Sequence, residues 1–180
     1  MEKFKVIIVE DVKLELKGTE EIFRNEIPNA EVIGTAMTEA DFWELLAKQM
    51  PDMVLLDLGL GGSTTIGVEI CARLHREHPS LKVLIFTGEV LNEKLWVDAL
   101  QAGADGIILK TGELLTATDV EAVMAGKKLV FNYPIRKRLW NASNSRYVPN
   151  KSGRKPSFTM TSMNTTSVCC VIWHWDILRK

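Results

Sequence analysis

Short apolar runs rich in Val and Ile alternate with amphipathic helical patterns through the first 126 residues, and this alternation limits the chain to few architectures. It is the pattern of a parallel sheet whose strands are joined by crossover helices. Val6-Ile7-Ile8-Val9, Val54-Leu55-Leu56 and Val83-Leu84-Ile85-Phe86 are continuously apolar, as strands covered on both faces must be. Glu31-Val32-Ile33-Gly34-Thr35-Ala36 is mixed and suits an edge. Strands are expected at Lys5–Val9, Glu31–Ala36, Met53–Leu56, Val83–Phe86 and Ile107–Leu109. The expected fold is α/β, a doubly wound five-stranded parallel sheet of five βα units.

Helices are expected over Lys13–Asn25, Glu39–Met50, Gly67–His78, Asn92–Gln101 and Glu113–Ala125. Pro28, Pro51 and Pro79 follow three of them, and Gly103 and Gly126 follow the other two. Thr38 is placed to cap the second, with acidic Glu39 and Asp41 in its first turn. Phe42, Leu45, Leu46 and Gln49 share one face of that helix and read as a core stripe, with Trp43 packed beside it.

The formal net charge of -1 conceals a division at Ile135. Residues 1–135 hold 13 Lys and Arg against 22 Asp and Glu, whereas residues 136–180 hold 9 against 1. Within 141–168, 14 of 28 positions are Ser, Thr or Asn, too few apolar groups to offset ordering entropy by burial. That stretch is expected to be irregular, and Val168–Leu178, with Trp173 and Trp175, is expected to dock on the body or a partner, or to stay unstructured. The first strand begins within a few residues of Met1, leaving no space for a signal-peptide core, and no apolar run is long enough for a membrane helix. Cys71, Cys169 and Cys170 have neither disulfide-framework nor zinc spacing, so a reducing, cytoplasmic location is expected. Cys71 reads as a small buried thiol, and His75, His78 and His174 as surface residues rather than metal ligands.

Sites in a doubly wound sheet form at the carboxyl ends of the strands. There the chain places Glu10-Asp11 after the first strand, Asp57 after the third, Thr87-Gly88 after the fourth and Lys110 after the fifth. Three converging carboxylates repel by roughly 4 kcal/mol per pair at an effective dielectric near 20, so a proton or cation must accompany them. A hard divalent ion such as Mg²⁺ fits best, since it takes few carboxylates and leaves positions for phosphoryl oxygens. Glu10, Asp11 and Asp57 would hold the ion, and Lys110 and Thr87 would stabilise further anionic oxygens. Asp57 would then accept a phosphoryl group.

These residues resemble the acidic pair, phosphoacceptor, switch hydroxyl and lysine of two-component response-regulator receiver domains. The resemblance spans about residues 4–126 and extends to Ala102-Gly103-Ala104-Asp105-Gly106 before the fifth strand. The helix ending Val123-Met124-Ala125-Gly126 is similar to that of the LuxR/NarL class. The resemblance implies a flavodoxin-like receiver over 1–126, a linker over 127–140 and a basic tail over 141–180. It implies phosphorylation of Asp57 by a sensor histidine kinase or phosphotransfer protein with Mg²⁺, and Gly59 offering its backbone carbonyl to the metal. It also implies self-catalysed phosphorylation and dephosphorylation without enzymatic turnover, and a homodimer through the fourth helix, fifth strand and fifth helix.

Three features depart from the pattern. Ile107 stands where the family usually has an aromatic residue or histidine, the loop from Asp57 to Gly67 is two residues longer than usual, and residues 136–180 contain nothing like a helix-turn-helix. The tail is therefore a native extension, a truncated or frameshifted copy of an output domain, or a binding segment. Two alternatives accompany the receiver reading. A metal-dependent phosphatase using Asp57 would want a second acid at position 59, which is Gly, and a nucleic-acid-binding module would rest on Arg136-Lys137-Arg138 and Arg154-Lys155.

Overall fold

The computed structural model describes residues 3–63, 65–89, 92–111, 115–132 and 135–138. The chain divides into a unit of residues Met1–Asn132 and a second of Tyr133–Lys180, whose described residues 135–138 are helical. The expectations for 141–180 lie outside the described residues.

The first unit runs β1 (Phe4–Val9), α1 (Lys13–Glu26), β2 (Ala30–Ala36), α2 (Glu39–Lys48), β3 (Met53–Leu56), α3 (Ile66–Glu77), β4 (Lys82–Thr87), α4 (Glu93–Gln101), β5 (Gly106–Leu109), α5 (Ala117–Met124) and β6 (Val130–Phe131). A single 3-10 turn, Leu60–Gly62, interrupts the passage from β3 to α3. The sheet order is β2-β1-β3-β4-β5-β6 and every pairing is parallel. The first five strands follow the expected α/β order, with β2 at an edge.

Burial explains the continuous apolar runs. Val6, Ile8, Met53, Leu55, Leu84, Phe86 and Ile108 form one core with Leu16, Phe23 and Ile27 from α1 and its C-cap, and with Val120 and Val123 from α5. Side chains alternate across a strand. Ile7, Val54, Leu56, Ile85 and Ile107, which point the other way, are equally inaccessible to solvent. Phe42 and Leu46 on α2, Ile70, Cys71 and Leu74 on α3, and Leu95, Trp96 and Ala99 on α4 are buried as well. The expected α2 stripe is present: Leu45 and Gln49 are half-buried, and Gln49 donates to the Ile33 carbonyl at 2.8 Å. Trp43 packs against Phe42, lies under the Arg73 guanidinium at 3.9 Å and donates to Glu39.

Two expectations need correction. The sheet has six strands rather than five, because Val130–Phe131, in the segment expected to be a linker, pairs with Gly106–Ile107. The added strand is held by tertiary contacts: Lys128 pairs with Asp105, and the Asn132 amide donates to the Leu109 carbonyl at 3.1 Å. Helix α5 opens at Ala117 with Thr116 as its N-cap, and the Glu113 at which it is expected to begin lies outside the described residues. Thr116 and Asp119 form a reciprocal capping box there, which satisfies first-turn N–H groups and fixes the start. Smaller shifts follow local chemistry. Asn92 caps α4 through a bond from Leu95 N–H rather than joining it, α2 ends at Lys48, and α3 opens one residue early at Ile66. Thr38 caps α2 as expected, accepting from Asp41 N–H at 3.1 Å.

Candidate functional site

Parallel register brings the carboxyl ends of four strands to one rim. Val9 is level with Leu56, Leu56 with Ile85, and Thr87 with Leu109, so the residues that follow converge. Backbone bonds extend the alignment past the strands: Asp57 N–H donates to the Val9 carbonyl at 3.0 Å and Lys110 N–H to that of Thr87 at 2.9 Å.

Glu10, Asp11 and Asp57 each present a carboxylate oxygen within 4.8 Å of the others. Glu10 and Asp57 are buried, while Asp11 is half-buried at the rim. Glu10 Oε1 accepts from Val12 N–H at 3.0 Å at the entrance to α1, and Oε2 accepts from Lys110 Nζ. Asp11 Oδ2 accepts from Gly61 N–H at 2.8 Å and so reaches across to the loop after β3. Asp57 Oδ2 accepts from Gly59 N–H at 3.1 Å. Its other oxygen, Oδ1, is buried and forms an ion pair with Lys110 Nζ at 3.3 Å, longer and less direct than the lysine's bonds to Glu10 and Glu15.

The loop after Asp57 owes its shape to glycine. Gly61 and Gly62 have φ of 64° and 72°, the left-handed region that side chains resist. The Gly59 carbonyl, expected to face a metal, accepts from Gly62 N–H at 3.1 Å and keeps a second lone pair. Thr87 ends β4, fully buried, with its hydroxyl accepting from Glu89 N–H at 3.2 Å. Ile107 is also fully buried, level with Ile85 on one side and Phe131 on the other.

Burial raises the pKa of both Glu10 and Asp57, because removing water penalises their charged forms more than Lys110 compensates. For Lys110, burial pulls downward and is outweighed by Asp57, Glu10 and Glu15, so its pKa is raised and the ammonium persists. The rim is thus a place where anionic charge is under-compensated. Three oxygen donors at short range, with one buried carboxylate oxygen held by the longer ion pair to Lys110, fit a hard divalent cation.

Glu15 is the participant that sequence reasoning missed. It sits in the first turn of α1 and accepts from Lys110 Nζ at 2.7 Å. A first-turn acid is ordinary helix chemistry, so nothing in the sequence singled it out. His75 is exposed on α3, where its side chain covers Gly103, and His78, the C-cap of that helix, is half-buried.

A doubly wound parallel sheet with an acidic cluster, a hydroxyl and a lysine at adjacent strand ends defines the class of phosphoacceptor signalling domains. The family model for the response regulator receiver domain matches residues 6–119, and the chain belongs to that family. Over 129 residues it is 30% identical to the DNA-binding transcriptional activator DevR/DosR of Mycobacterium tuberculosis, covering 71% of this chain and 58% of the relative. It is 31% identical over 131 residues to a protein-glutamate methylesterase/protein-glutamine glutaminase of Geobacillus kaustophilus, covering 72% and 37%. A two-component response regulator of the LuxR family from Aurantimonas shares the fold at a TM-score of 0.68 and 22% identity, covering 80% of this chain and 99% of that one. The chain spans about half the length of the curated relatives it matches. It is a response-regulator receiver, and among the described residues no helix is long and apolar enough to cross a membrane.

Proposed function

We propose that Asp57 is the phosphoacceptor of this receiver, taking a phosphoryl group from a phosphohistidine on a sensor kinase or phosphotransfer protein. The observation that carries the reading is the convergence of Glu10, Asp11 and Asp57 within 4.8 Å, with Lys110 Nζ 3.3 Å from Asp57 Oδ1. In the transfer, an Asp57 oxygen forms a bond to phosphorus as the phosphorus–nitrogen bond to the donor imidazole breaks, and the imidazole leaves with a proton from solvent. Lys110 neutralises one oxygen of the transferred group, and the Thr87 hydroxyl turns from Glu89 N–H to another.

Glu10, Asp11, Asp57 and the free lone pair of the Gly59 carbonyl would hold Mg²⁺. When bound, the ion neutralises charge on the incoming phosphoryl oxygens. With Gly rather than an acid at position 59, the site has no second carboxylate two residues after Asp57 to drive turnover, which favours a persistent acyl phosphate over phosphatase chemistry. A homodimer through α4, β5 and α5 would use their outer faces, since the hydrogen-bonding edge of β5 is taken by β6. The kin with which the chain aligns carry a DNA-binding activator's title in one case and a methylesterase's in another, so the output is not inherited from the receiver.

Acetyl phosphate with Mg²⁺, followed by intact mass, tests the reading. One phosphoryl adduct per chain is expected, abolished by EDTA and in Asp57→Asn. A wild-type chain that forms no adduct would sink it.

A further inference from the structure

Lys110 is shared among three carboxylates, and the sharing is unequal. Its ammonium has three N–H donors. One goes to Glu10 Oε2 and one to Glu15 Oε2 at 2.7 Å, while Asp57 Oδ1 holds the longer ion pair, at 3.3 Å. The two bonds also differ in environment: the Glu10 side chain is 3% exposed and that of Glu15 is 47% exposed. Water competes for a half-exposed carboxylate, so the Glu15 bond is the easier to give up. Glu15 is not merely a dipole-matched acid at a helix start, because its carboxylate reaches a residue 95 positions away.

Resting on the receiver reading above, we propose that Glu15 is a positioning residue for phosphotransfer, competing with Asp57 for the Lys110 ammonium in the resting state and yielding it as the phosphoryl group arrives. Glu10 stays bonded at both ends, to Val12 N–H and to Lys110, and serves as the pivot. The added phosphoryl oxygens outbid the half-exposed Glu15 for the ammonium, whereas the unmodified Asp57 carboxylate does not. Glu15 therefore acts as a brake on acceptor chemistry, and its removal speeds phosphorylation.

The test uses the full chain and acetyl phosphate with Mg²⁺, following adduct formation at Asp57 by intact mass and peptide mapping. Glu15→Gln and Glu15→Ala are expected to raise the initial rate about three- to tenfold, the scale of one half-exposed charge-assisted hydrogen bond. Glu20→Gln removes the same charge from α1 without touching Lys110 and is expected to leave the rate unchanged. A structural role for Glu15 would slow the reaction rather than speed it. Equal or lower rates in both Glu15 variants, with Asp57 still labelled, would overturn the inference alone. So would an equal gain in Glu20→Gln, which would assign the effect to the general acidic field. Failure of wild type and variants alike to form an adduct at Asp57 would overturn the receiver reading itself.

Discussion

A Cβ built on Gly106 stands 2.5 Å from the carbonyl oxygen of Val130, so β6 lies against β5 only because residue 106 has no side chain. Neither strand can yield cheaply, since the obstructing atom belongs to the backbone. Gly106→Ala is expected to cost about 1–3 kcal/mol, the usual penalty of an overpacked position. The loss should be concentrated in β6. Hydrogen exchange at Val130, whose N–H donates to the Asp105 carbonyl at 3.2 Å, should rise well before exchange at β1 or β3 does.

Asp105 performs the matching task on the other side of the same junction. It is almost wholly buried, accepts from Val83 N–H at 2.9 Å, and pairs with Lys128 and, at 4.0 Å, with Lys82. Asp105→Ala strands a buried N–H and removes the tie to β6. We expect a loss of about 1–3 kcal/mol from the N–H alone. Equilibrium urea unfolding should show a lower midpoint with an unchanged slope; an unchanged midpoint would contradict the assignment.

Both residues show why β6 was not legible in the sequence. The central strands announce themselves because burial on both faces leaves no polar position in Val6–Val9 or Val83–Phe86. β6 has two residues, and what holds it are contacts to Asp105, Gly106 and Leu109 that only the fold brings near. The start of α5 was legible in principle, since Thr116 and Asp119 have capping-box spacing, but Glu113-Leu114-Leu115 reads as helix and masks it. The acidic cluster was legible because strand ends in this topology must meet. Glu15 was not, because its partner is chosen by side-chain reach rather than by position along a strand.

Asp57→Asn should stabilise the protein at neutral pH. Burial holds the Asp57 carboxyl above its ordinary range, so the folded state binds its proton more tightly than the unfolded chain does. The stabilising contribution of such a group is full below its unfolded pKa of about 4 and is lost as pH rises through the higher folded value. At pH 7 the ionised carboxylate is therefore a liability. Replacing it should stabilise the protein at pH 7. Tm measured from pH 4 to pH 8 should show the variant's advantage growing with pH. Mg²⁺ should narrow the gap: at tenfold excess over its Kd it stabilises wild type by about 1.4 kcal/mol and the variant by less. A constant difference across pH, untouched by Mg²⁺, would refute the charge argument.

Gly67 couples the first turn of α3 to the Asp57–Leu58 backbone. A Cβ there would lie 2.7 Å from Leu58 Cα and 2.8 Å from the Asp57 carbonyl oxygen. Gly67→Ala must displace either the helix or the Asp57–Leu58 backbone. The expected cost is about 1–3 kcal/mol in stability. Because a misplacement of about 1 Å can cost up to about a hundredfold in a positioned reaction, the rate of adduct formation should fall by about tenfold or more. Retention of the wild-type rate in a folded variant would show that Asp57 tolerates movement of its own backbone.

Cys71 provides a test of the core that is independent of the site. It is fully inaccessible on α3, and burial, with Asp105 adding to it, pushes its thiol up to about 12. Its Sγ lies 3.8 Å from the Ala99 carbonyl on α4, where it fills the space between the two helices. At pH 8 only roughly one molecule in ten thousand carries the thiolate that reacts with alkylating agents, and even that fraction is shielded from solvent. Iodoacetamide should therefore leave the Cys71 peptide unmodified in the native chain and label it rapidly in guanidinium chloride. Rapid native labelling would mean that α3 and α4 separate often enough to expose the thiol. In that case the α3 register that sets Gly67 against Asp57 would be as mobile as the helix pair, and the positional argument for slowed phosphorylation in Gly67→Ala would fail with it.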